Sequence, residues 1–183
     1  MTYRIDIKGM QRDLPLCPLT DKLMIGAFVI FGDVELTVHC AKELLKIVPD
    51  FDIMITAESK VIPLIHEMAK QSGKNTYVLA RKAPKLYMKD IFSCEVNSIT
   101  TARKQTLYLD GDDAKALKGR RVLIVDDVIS TGESLHSLET LVNRAGGNIC
   151  GRAAILTEGD AKDRKDIVYL QYLPLFDTEG NAL

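Results

Sequence analysis

The stretch 122–134 constrains the fold more than any other part of this chain. Four aliphatic residues, 122–125, predict a buried strand, and an amphipathic helical pattern follows the turn that comes after them. Asp126 and Asp127 stand directly after the aliphatic run, and Gly132 lies within a short hydroxyl-rich turn. A buried strand, a tight turn and a helix in this order form the unit from which parallel α/β sheets are built.

The same alternation of apolar runs and amphipathic stretches recurs along the chain. Continuous apolar runs suit a sheet that is covered on both faces, so the pattern predicts an α/β fold with a parallel twisted sheet flanked by helices. The predicted strands are 3–7, 52–56, 76–80, 122–125, 149–157 and 167–170, and the predicted helices are 34–48, 62–71 and 134–145. The apolar face predicted for the first helix consists of Val34, Val38, Ala41, Leu45 and Val48.

Two regions lack such a period. Residues 1–20 contain Pro15 and Pro18, and beyond the strand at 3–7 they are expected to form an irregular arm. Mixed charge interrupts the pattern between Lys82 and Lys104. A loop of that length in a compact domain is typically functional. The full length of 183 residues suits a single domain.

The overall charge excludes several classes of partner. Lys and Arg number 24 against 25 Asp and Glu, so no excess of either sign favours nucleic acid or a membrane surface. Any anion site must therefore come from local placement of a few residues. The four cysteines form no CxxC pair, which argues against a disulfide framework or a zinc site. The start of the chain has no apolar signal core and no run has the length of a membrane span, so we expect a cytoplasmic protein.

The turn after the two carboxylates has the chemistry of a phosphate site. Backbone N–H groups at a helix start, together with nearby hydroxyls, suit a phosphate dianion, and a glycine lets the backbone approach it closely. Asp126 and Asp127 are acceptors for a diol, or ligands for a divalent ion and its waters. The competing interpretation is that the two acids only cap a helix. An anion site beside a diol clamp favours ribose 5-phosphate instead. The candidate phosphate residues are Ser130, Thr131, Gly132, Glu133 and Ser134.

Cations follow two other predicted strands. In parallel sheets ligands bind beyond the carboxyl ends of the strands, so the residues just after each strand are candidates. The loop 58–61, which is Glu58, Ser59, Lys60 and Val61, follows one strand. Arg81, Lys82 and Lys85 follow the next strand. Their charge suits a pyrophosphate group.

These motifs resemble the signature by which type I phosphoribosyltransferases bind phosphoribosyl pyrophosphate (PRPP). The resemblance implies that Asp126 and Asp127 hold the ribose hydroxyls, directly or through the waters of Mg²⁺ that arrives with PRPP. It also implies that residues 130–134 wrap the 5-phosphate. Pyrophosphate would then meet the loop 58–61 and the cations Lys60, Arg81, Lys82 and Lys85, with Asp126, Asp127 and Lys85 as the catalytic residues.

The resemblance also implies an architecture. A type I phosphoribosyltransferase fold carries a small hood, here expected from residues 1–33 and 159–183, and a flexible flap, here expected from residues 83–104. The base pocket would lie between the hood and Glu158. Members of the family often place such loops near a subunit interface, which implies a homodimer.

The resemblance to purine enzymes favours adenine as the base. Glu58-Ser-Lys-Val and Pro84-Lys-Leu-Tyr echo motifs of adenine enzymes, whereas Val96-Asn-Ser-Ile-Thr resembles a flap motif of xanthine enzymes. Xanthine and hypoxanthine therefore stay as other candidates.

Two further functions are open. Lys60-Val-Ile-Pro-Leu and the cations 81–85 resemble orotate phosphoribosyltransferase. A PRPP-sensing regulator without catalysis is the second alternative. It is favoured by Val61, which stands where the family has glycine, and by the lack of an acid in the flap stretch 98–103. A β-branched residue at position 61 is expected to restrict the backbone that faces pyrophosphate.

Overall fold

The computed structural model describes residues 1–96 and 105–183. Eleven strands and four α-helices are defined within them. The strands are β1 (Thr2–Ile7), β2 (Met10–Pro18), β3 (Met24–Gly26), β4 (Ile53–Ala57), β5 (Val78–Ala80), β6 (Phe92–Val96), β7 (Gln105–Leu109), β8 (Arg121–Ile129), β9 (Asn148–Glu158), β10 (Val168–Leu173) and β11 (Leu175–Phe176). The helices are α1 (Val34–Leu45), α2 (Ile62–Gln71), α3 (Gly111–Leu117) and α4 (Glu133–Arg144), and a 3₁₀-helix spans Gly159–Asp163.

A five-stranded parallel sheet in the order β10-β9-β8-β4-β5 forms the centre of the molecule. Neighbouring residues of β8 point to opposite faces. Leu123 and Val125 join one buried cluster with α1 and α2, whereas Val122 and Ile124 join a second cluster with α4. Both faces are therefore covered, which explains the unbroken apolar run of β8. The predicted parallel sheet flanked by helices is confirmed.

The N-terminal residues form strands rather than an irregular arm. β1 and β2 pair as a hairpin, and β3 and β11 extend them into a four-stranded sheet in the order β1-β2-β3-β11. Lys8 and Gly9 link the first two strands, and both have positive φ, 54° and 91°. A two-residue turn of this type matches the twist of a hairpin. The prediction was wrong because the usual Asn-Gly or Asp-Gly signal is replaced by Lys-Gly.

Helix α1 buries a face that is rotated from the predicted one and shares Ala41 with it. Asp33 begins the helix by accepting a hydrogen bond from the Leu36 N–H, and the helix ends at Leu45, before the expected end at 48. Val34 and Val38 are exposed, with 73% and 41% of their surfaces accessible. The helix carries apolar residues on two faces, and packing against α2 and the sheet selects one of them. The buried residues are Leu36, Thr37, Cys40, Ala41 and Leu44.

Strand β8 is longer than predicted at the end that concerns function. Its pairing with β4 reaches Ile124, while its pairing with β9 continues to Ile129. Asp126 and Asp127 therefore lie within the strand, and not after its end as the sequence indicated. They occupy the part of β8 that extends beyond its register with β4.

The segment before β8 contains elements that the sequence did not predict. β6 and β7 pair antiparallel, and α3 follows them. The predicted flap at 83–104 thus includes part of a hairpin, whereas its stretch 98–103 lies outside the described residues. Within residues 1–96 and 105–183, no helix combines the length and apolar character needed to cross a membrane.

Candidate active site

Residues from the ends of three central strands surround one cavity of about 130 Å³. Parallel strands end at the same edge of a sheet, which explains why distant parts of the chain meet there. Predicted residues from the loop after β4, the loop after β5 and the end of β8 all contribute. The lining residues are Ala57, Ser59, Lys82, Leu107, Asp126, Asp127, Val128 and Ser134.

The hydroxyl-rich turn encloses a second, smaller cavity of about 50 Å³, lined by Asp126 and residues 128–135. Gly132 stands at the N-cap of α4 with φ of 81°, a left-handed conformation that suits glycine. The turn thus places backbone groups and hydroxyls at the positive end of a helix dipole. All five predicted phosphate residues line this cavity.

The two carboxylates are held close together. Asp126 Oδ1 accepts a hydrogen bond of 2.9 Å from the Asp127 N–H. The pKa of Asp126 is raised well above its ordinary value, chiefly by burial and secondly by the nearby charge of Asp127. Asp127 Oδ2 is buried and has no hydrogen-bond partner within the described residues. A buried acceptor without a hydrogen bond is costly, and a bound ligand that donates one would remove this cost.

Lys60 lies against this carboxylate pair. Its Nζ is 3.4 Å from Asp127 Oδ2 and donates a hydrogen bond of 3.0 Å to the Phe28 carbonyl. Lys60 therefore connects the loop after β3 to β8. The Phe28 contact was missed because a backbone carbonyl leaves no signal in the sequence.

Val61 adopts an ordinary backbone conformation. Its φ and ψ are −75° and −12°, in the right-handed helical region, and it precedes the first residue of α2. The side chain is fully buried in the cluster that contains Leu64 and Ile65. The expected backbone restriction from its branched side chain does not arise, because this conformation requires no glycine.

Arg81 and Lys85 lie beside the cavity, where Glu58 contacts both of them. The Glu58 Oε1 is 3.2 Å from Arg81 Nη2 and 3.7 Å from Lys85 Nζ. Glu58 Oε2 accepts a hydrogen bond of 3.2 Å from the Lys82 N–H. That hydrogen bond, with help from the charges of Arg81 and Lys85, lowers the pKa of Glu58. Of the three predicted cations in this loop, Lys82 lines the cavity with Asp126 and Asp127.

Glu158 ends β9 and is half-buried. Burial raises the pKa of its carboxyl group. Its assignment to a base pocket stays a prediction, since Glu158 does not line either cavity described above.

Arg164 is a neighbour of the phosphate turn that sequence reasoning missed. A Cβ added at Gly132 would lie 3.1 Å from Arg164 Nη1. Asp166 pairs with the guanidinium of Arg164 at 3.0 Å and 2.7 Å, and Arg152 links Asp166 to Glu139 of α4. No local pattern predicts this contact, because Gly132 and Arg164 belong to separate elements.

The carboxylate pair has the donor chemistry of a magnesium site. Among the described residues, no group of three His, Cys, Asp or Glu side chains forms a complete metal cage. Magnesium is usually held by one or two carboxylates, waters and substrate phosphates. Asp126 and Asp127 supply two carboxylates, and Asp127 Oδ2, which has no hydrogen-bond partner within the described residues, is an acceptor for an ion or its water.

Comparison with known proteins places this site in a family. The family model of the phosphoribosyl transferase domain matches residues 51–179. An adenine phosphoribosyltransferase of Thermotoga petrophila is 29% identical over 163 residues, covering 88% of this chain and 92% of its own. A hypoxanthine/guanine phosphoribosyltransferase of Methanothermococcus okinawensis is 32% identical over 130 residues, covering 70% and 67%.

The fold also matches solved structures. Adenine phosphoribosyltransferase from Thermoanaerobacter pseudethanolicus has a TM-score of 0.69 at 21% identity, covering 87% of this chain and 95% of its own. The family match spans both the carboxylate pair and the phosphate turn, and the structural match shows that the fold is the same. The chain therefore belongs to the phosphoribosyl transferase domain family, as its type I signature predicted.

Proposed function

We propose that this protein transfers ribose 5-phosphate from PRPP to a purine base, with adenine as the favoured base, and releases pyrophosphate. The observation that carries the proposal is the meeting of Asp126, Asp127, Lys82 and the phosphate turn at one edge of the sheet. Relatives named for adenine and for hypoxanthine/guanine support a purine base.

Each part of the site has a role in this reaction. The turn 130–134 binds the 5-phosphate through backbone N–H groups and hydroxyls. The two carboxylates accept hydrogen bonds from the ribose hydroxyls. A base nitrogen bonds to the anomeric carbon while the bond from that carbon to pyrophosphate breaks. The bonding electrons leave with pyrophosphate, and the nitrogen loses its proton to water. Carboxylates near the ribose stabilise the positive charge that develops on it.

Charge on the leaving pyrophosphate needs cations. Lys82 lines the cavity together with the carboxylate pair. Magnesium, when bound with PRPP, would neutralise part of the pyrophosphate charge. We assign Lys60, Arg81 and Lys85 to the same group, on the resemblance to the family and on their place at the strand ends.

We assign recognition of the base to the region around Glu158. An ionised carboxylate only accepts hydrogen bonds, so it suits a base edge that presents N–H donors. The exocyclic amino group of adenine is such a donor. This assignment rests on the position of Glu158 after β9 and on its partial burial.

We also propose that the protein is a homodimer. The supporting observation is an apolar groove of about 450 Å³ in which exposed Val34 and Val38 of α1 face Ile62 and Pro63 of α2. Since α2 follows the loop 58–61 directly, a second copy in this groove would lie beside the site. Light scattering tests the proposal: a dimer is expected, and Val38→Asp should dissociate it. A monomer at working concentration would contradict the proposal. The cytoplasmic location stays a prediction.

A base screen tests the reaction. The purified protein is mixed with PRPP and Mg²⁺, and pyrophosphate release is followed after separate addition of adenine, hypoxanthine, guanine, xanthine, orotate or uracil. We expect release with adenine. Release with orotate alone would establish the orotate alternative. PRPP binding without release for any base would establish a regulator and overturn the proposal.

A further inference from the structure

The carboxylate of Glu58 stands where an anion would be expected to bind. It is surrounded by donors of the loop after β5: Arg81 Nη2 at 3.2 Å, Lys85 Nζ at 3.7 Å and the Lys82 N–H at 3.2 Å. These are the groups assigned above to pyrophosphate. Among the described residues, the Glu58 carboxylate thus pairs with Arg81 and Lys85, the cations that we assign to the pyrophosphate group of the substrate.

The backbone builds this arrangement into the fold. The Glu58 N–H donates a hydrogen bond of 2.8 Å to the Ala80 carbonyl, which joins the ends of β4 and β5. Arg81 exchanges two backbone hydrogen bonds with Tyr108 of β7, at 2.8 Å and 2.9 Å. The carboxylate and the guanidinium are therefore held opposite each other by their own strands.

Arg81 keeps donor capacity beyond this ion pair. Its Nε is buried and has no hydrogen-bond partner in the part of the chain that the structure describes. Three-quarters of the side chain is covered, since 25% of its surface is exposed. Glu58 therefore satisfies the charge of Arg81 without using all of its hydrogen-bonding groups.

We propose that Glu58 is a positioning residue, a built-in counter-anion that holds Arg81 and Lys85 beside the cavity and weakens the binding of pyrophosphate. The proposal rests on the proposed function. In the ligand-free protein Glu58 neutralises the two cations. The pyrophosphate group of PRPP competes with this carboxylate for them. After the reaction, Glu58 regains the cations and favours the departure of pyrophosphate.

The physical reason is the balance between substrate capture and product release. Three cations around one pyrophosphate would bind the product tightly, and release often limits turnover. Affinity differences within one site appear mainly in the dissociation rate. An internal anion lowers the affinity for PRPP and for pyrophosphate together, while it keeps the cations in place for the next substrate.

The test replaces Glu58 by glutamine. The amide oxygen can still accept the Lys82 N–H, so Glu58→Gln removes the charge and keeps the shape. We expect the Kd for magnesium pyrophosphate, measured by calorimetry, to fall about fivefold, as for the loss of a partly exposed ion-pair partner of about 1 kcal/mol. The KM for PRPP should fall, and inhibition by pyrophosphate should strengthen.

Two comparisons isolate the effect. Asp52 pairs with Arg121 just before β4, at the end of the strands opposite to the site. Asp52→Asn removes this carboxylate and should leave the Kd for magnesium pyrophosphate unchanged. In an Arg81→Gln background, Glu58→Gln should have a much smaller effect, because the cation that it frees is gone.

The outcomes separate the two proposals. Unchanged or weaker pyrophosphate binding in a folded Glu58→Gln protein would overturn the role of Glu58. A parent protein that binds neither PRPP nor pyrophosphate would instead overturn the proposed function. If Glu58→Gln does not fold, Glu58→Asp tests the same idea. Its shorter side chain loosens the ion pair, so the Kd should shift in the same direction by a smaller factor, and an opposite shift would overturn the proposal.

Discussion

Lys60 Nζ lies 3.4 Å from Asp127 Oδ2 and also donates a hydrogen bond to the Phe28 carbonyl at 3.0 Å. Only 8% of the Asp127 side chain is exposed, against 43% for Lys60. A buried carboxylate is therefore stabilised by a cation that reaches it from a more open position. The same cation ties the loop after β3 to the strand that carries the acids.

Replacing Lys60 by methionine should destabilise the protein. The buried Asp127 carboxylate would lose its ion-pair partner, which costs about 1–2 kcal/mol after allowance for the exposure of Lys60. Urea unfolding at neutral pH measures the change. Lys70→Met is the matched control, because Lys70 pairs with Glu67 on the surface of α2 and should cost below about 0.5 kcal/mol. Equal losses in both variants would contradict the ion-pair assignment.

Asp127→Asn should weaken PRPP binding in the presence of Mg²⁺ by about 100-fold. The amide cannot replace the charge that holds the ribose hydroxyls and the ion's waters, and a loss of about 2–3 kcal/mol is expected. Calorimetry with PRPP provides the measurement. Asp13→Asn, which removes an exposed partner of Arg4 in the antiparallel sheet, is the control. If both variants bind PRPP as the parent protein does, the carboxylate pair has been wrongly assigned.

Gly132→Ala should impair the phosphate turn. The added methyl group meets Arg164 Nη1 at 3.1 Å, and φ of 81° is unfavourable for alanine by about 1–2 kcal/mol. We expect a higher KM for PRPP and a lower melting temperature. Gly119 has a similar φ of 73°, and a Cβ added there would meet no atom within 4 Å. Gly119→Ala should therefore lower the melting temperature and leave the KM for PRPP unchanged. An unchanged KM in Gly132→Ala would show that the turn does not bind the phosphate.

Val61→Gly should destabilise the protein without improving catalysis. The buried side chain would leave a cavity, and glycine adds chain entropy to the unfolded state, for a total of about 2–3 kcal/mol. No gain in pyrophosphate release is expected, because residue 61 already has a backbone conformation open to any residue. Val61→Ala separates the two costs. A several-fold gain in kcat for the glycine variant would show that valine does restrict the loop.

Glu158→Gln should stabilise the protein at neutral pH. Because burial raises the pKa of this carboxyl above its ordinary value of 4.5, ionisation penalises the folded state as the pH rises through that range. The glutamine variant escapes the penalty, so its advantage in melting temperature should be present at about pH 7 and vanish at about pH 4. A base screen on the same variant tests the assignment to base choice. An advantage that persists at low pH would point to packing instead.

The class of the sheet and the chemistry of the phosphate turn could both be predicted from local stretches of sequence. Four aliphatic residues predict a strand buried on both faces, and residues 126–134 bring acids, hydroxyls and Gly132 together by local geometry. Contiguous residues need no knowledge of the rest of the chain, so their chemistry could be predicted.

The contacts between distant residues could not be predicted in this way. The hydrogen bond from Lys60 to Phe28, the ion pair of Glu58 with Arg81 and the approach of Arg164 to Gly132 each join separate elements. They depend on the strand order, which places β4 between β8 and β5, and on which face of each helix is buried. Local patterns leave these choices open, because the free energy that selects among them comes from packing the whole chain.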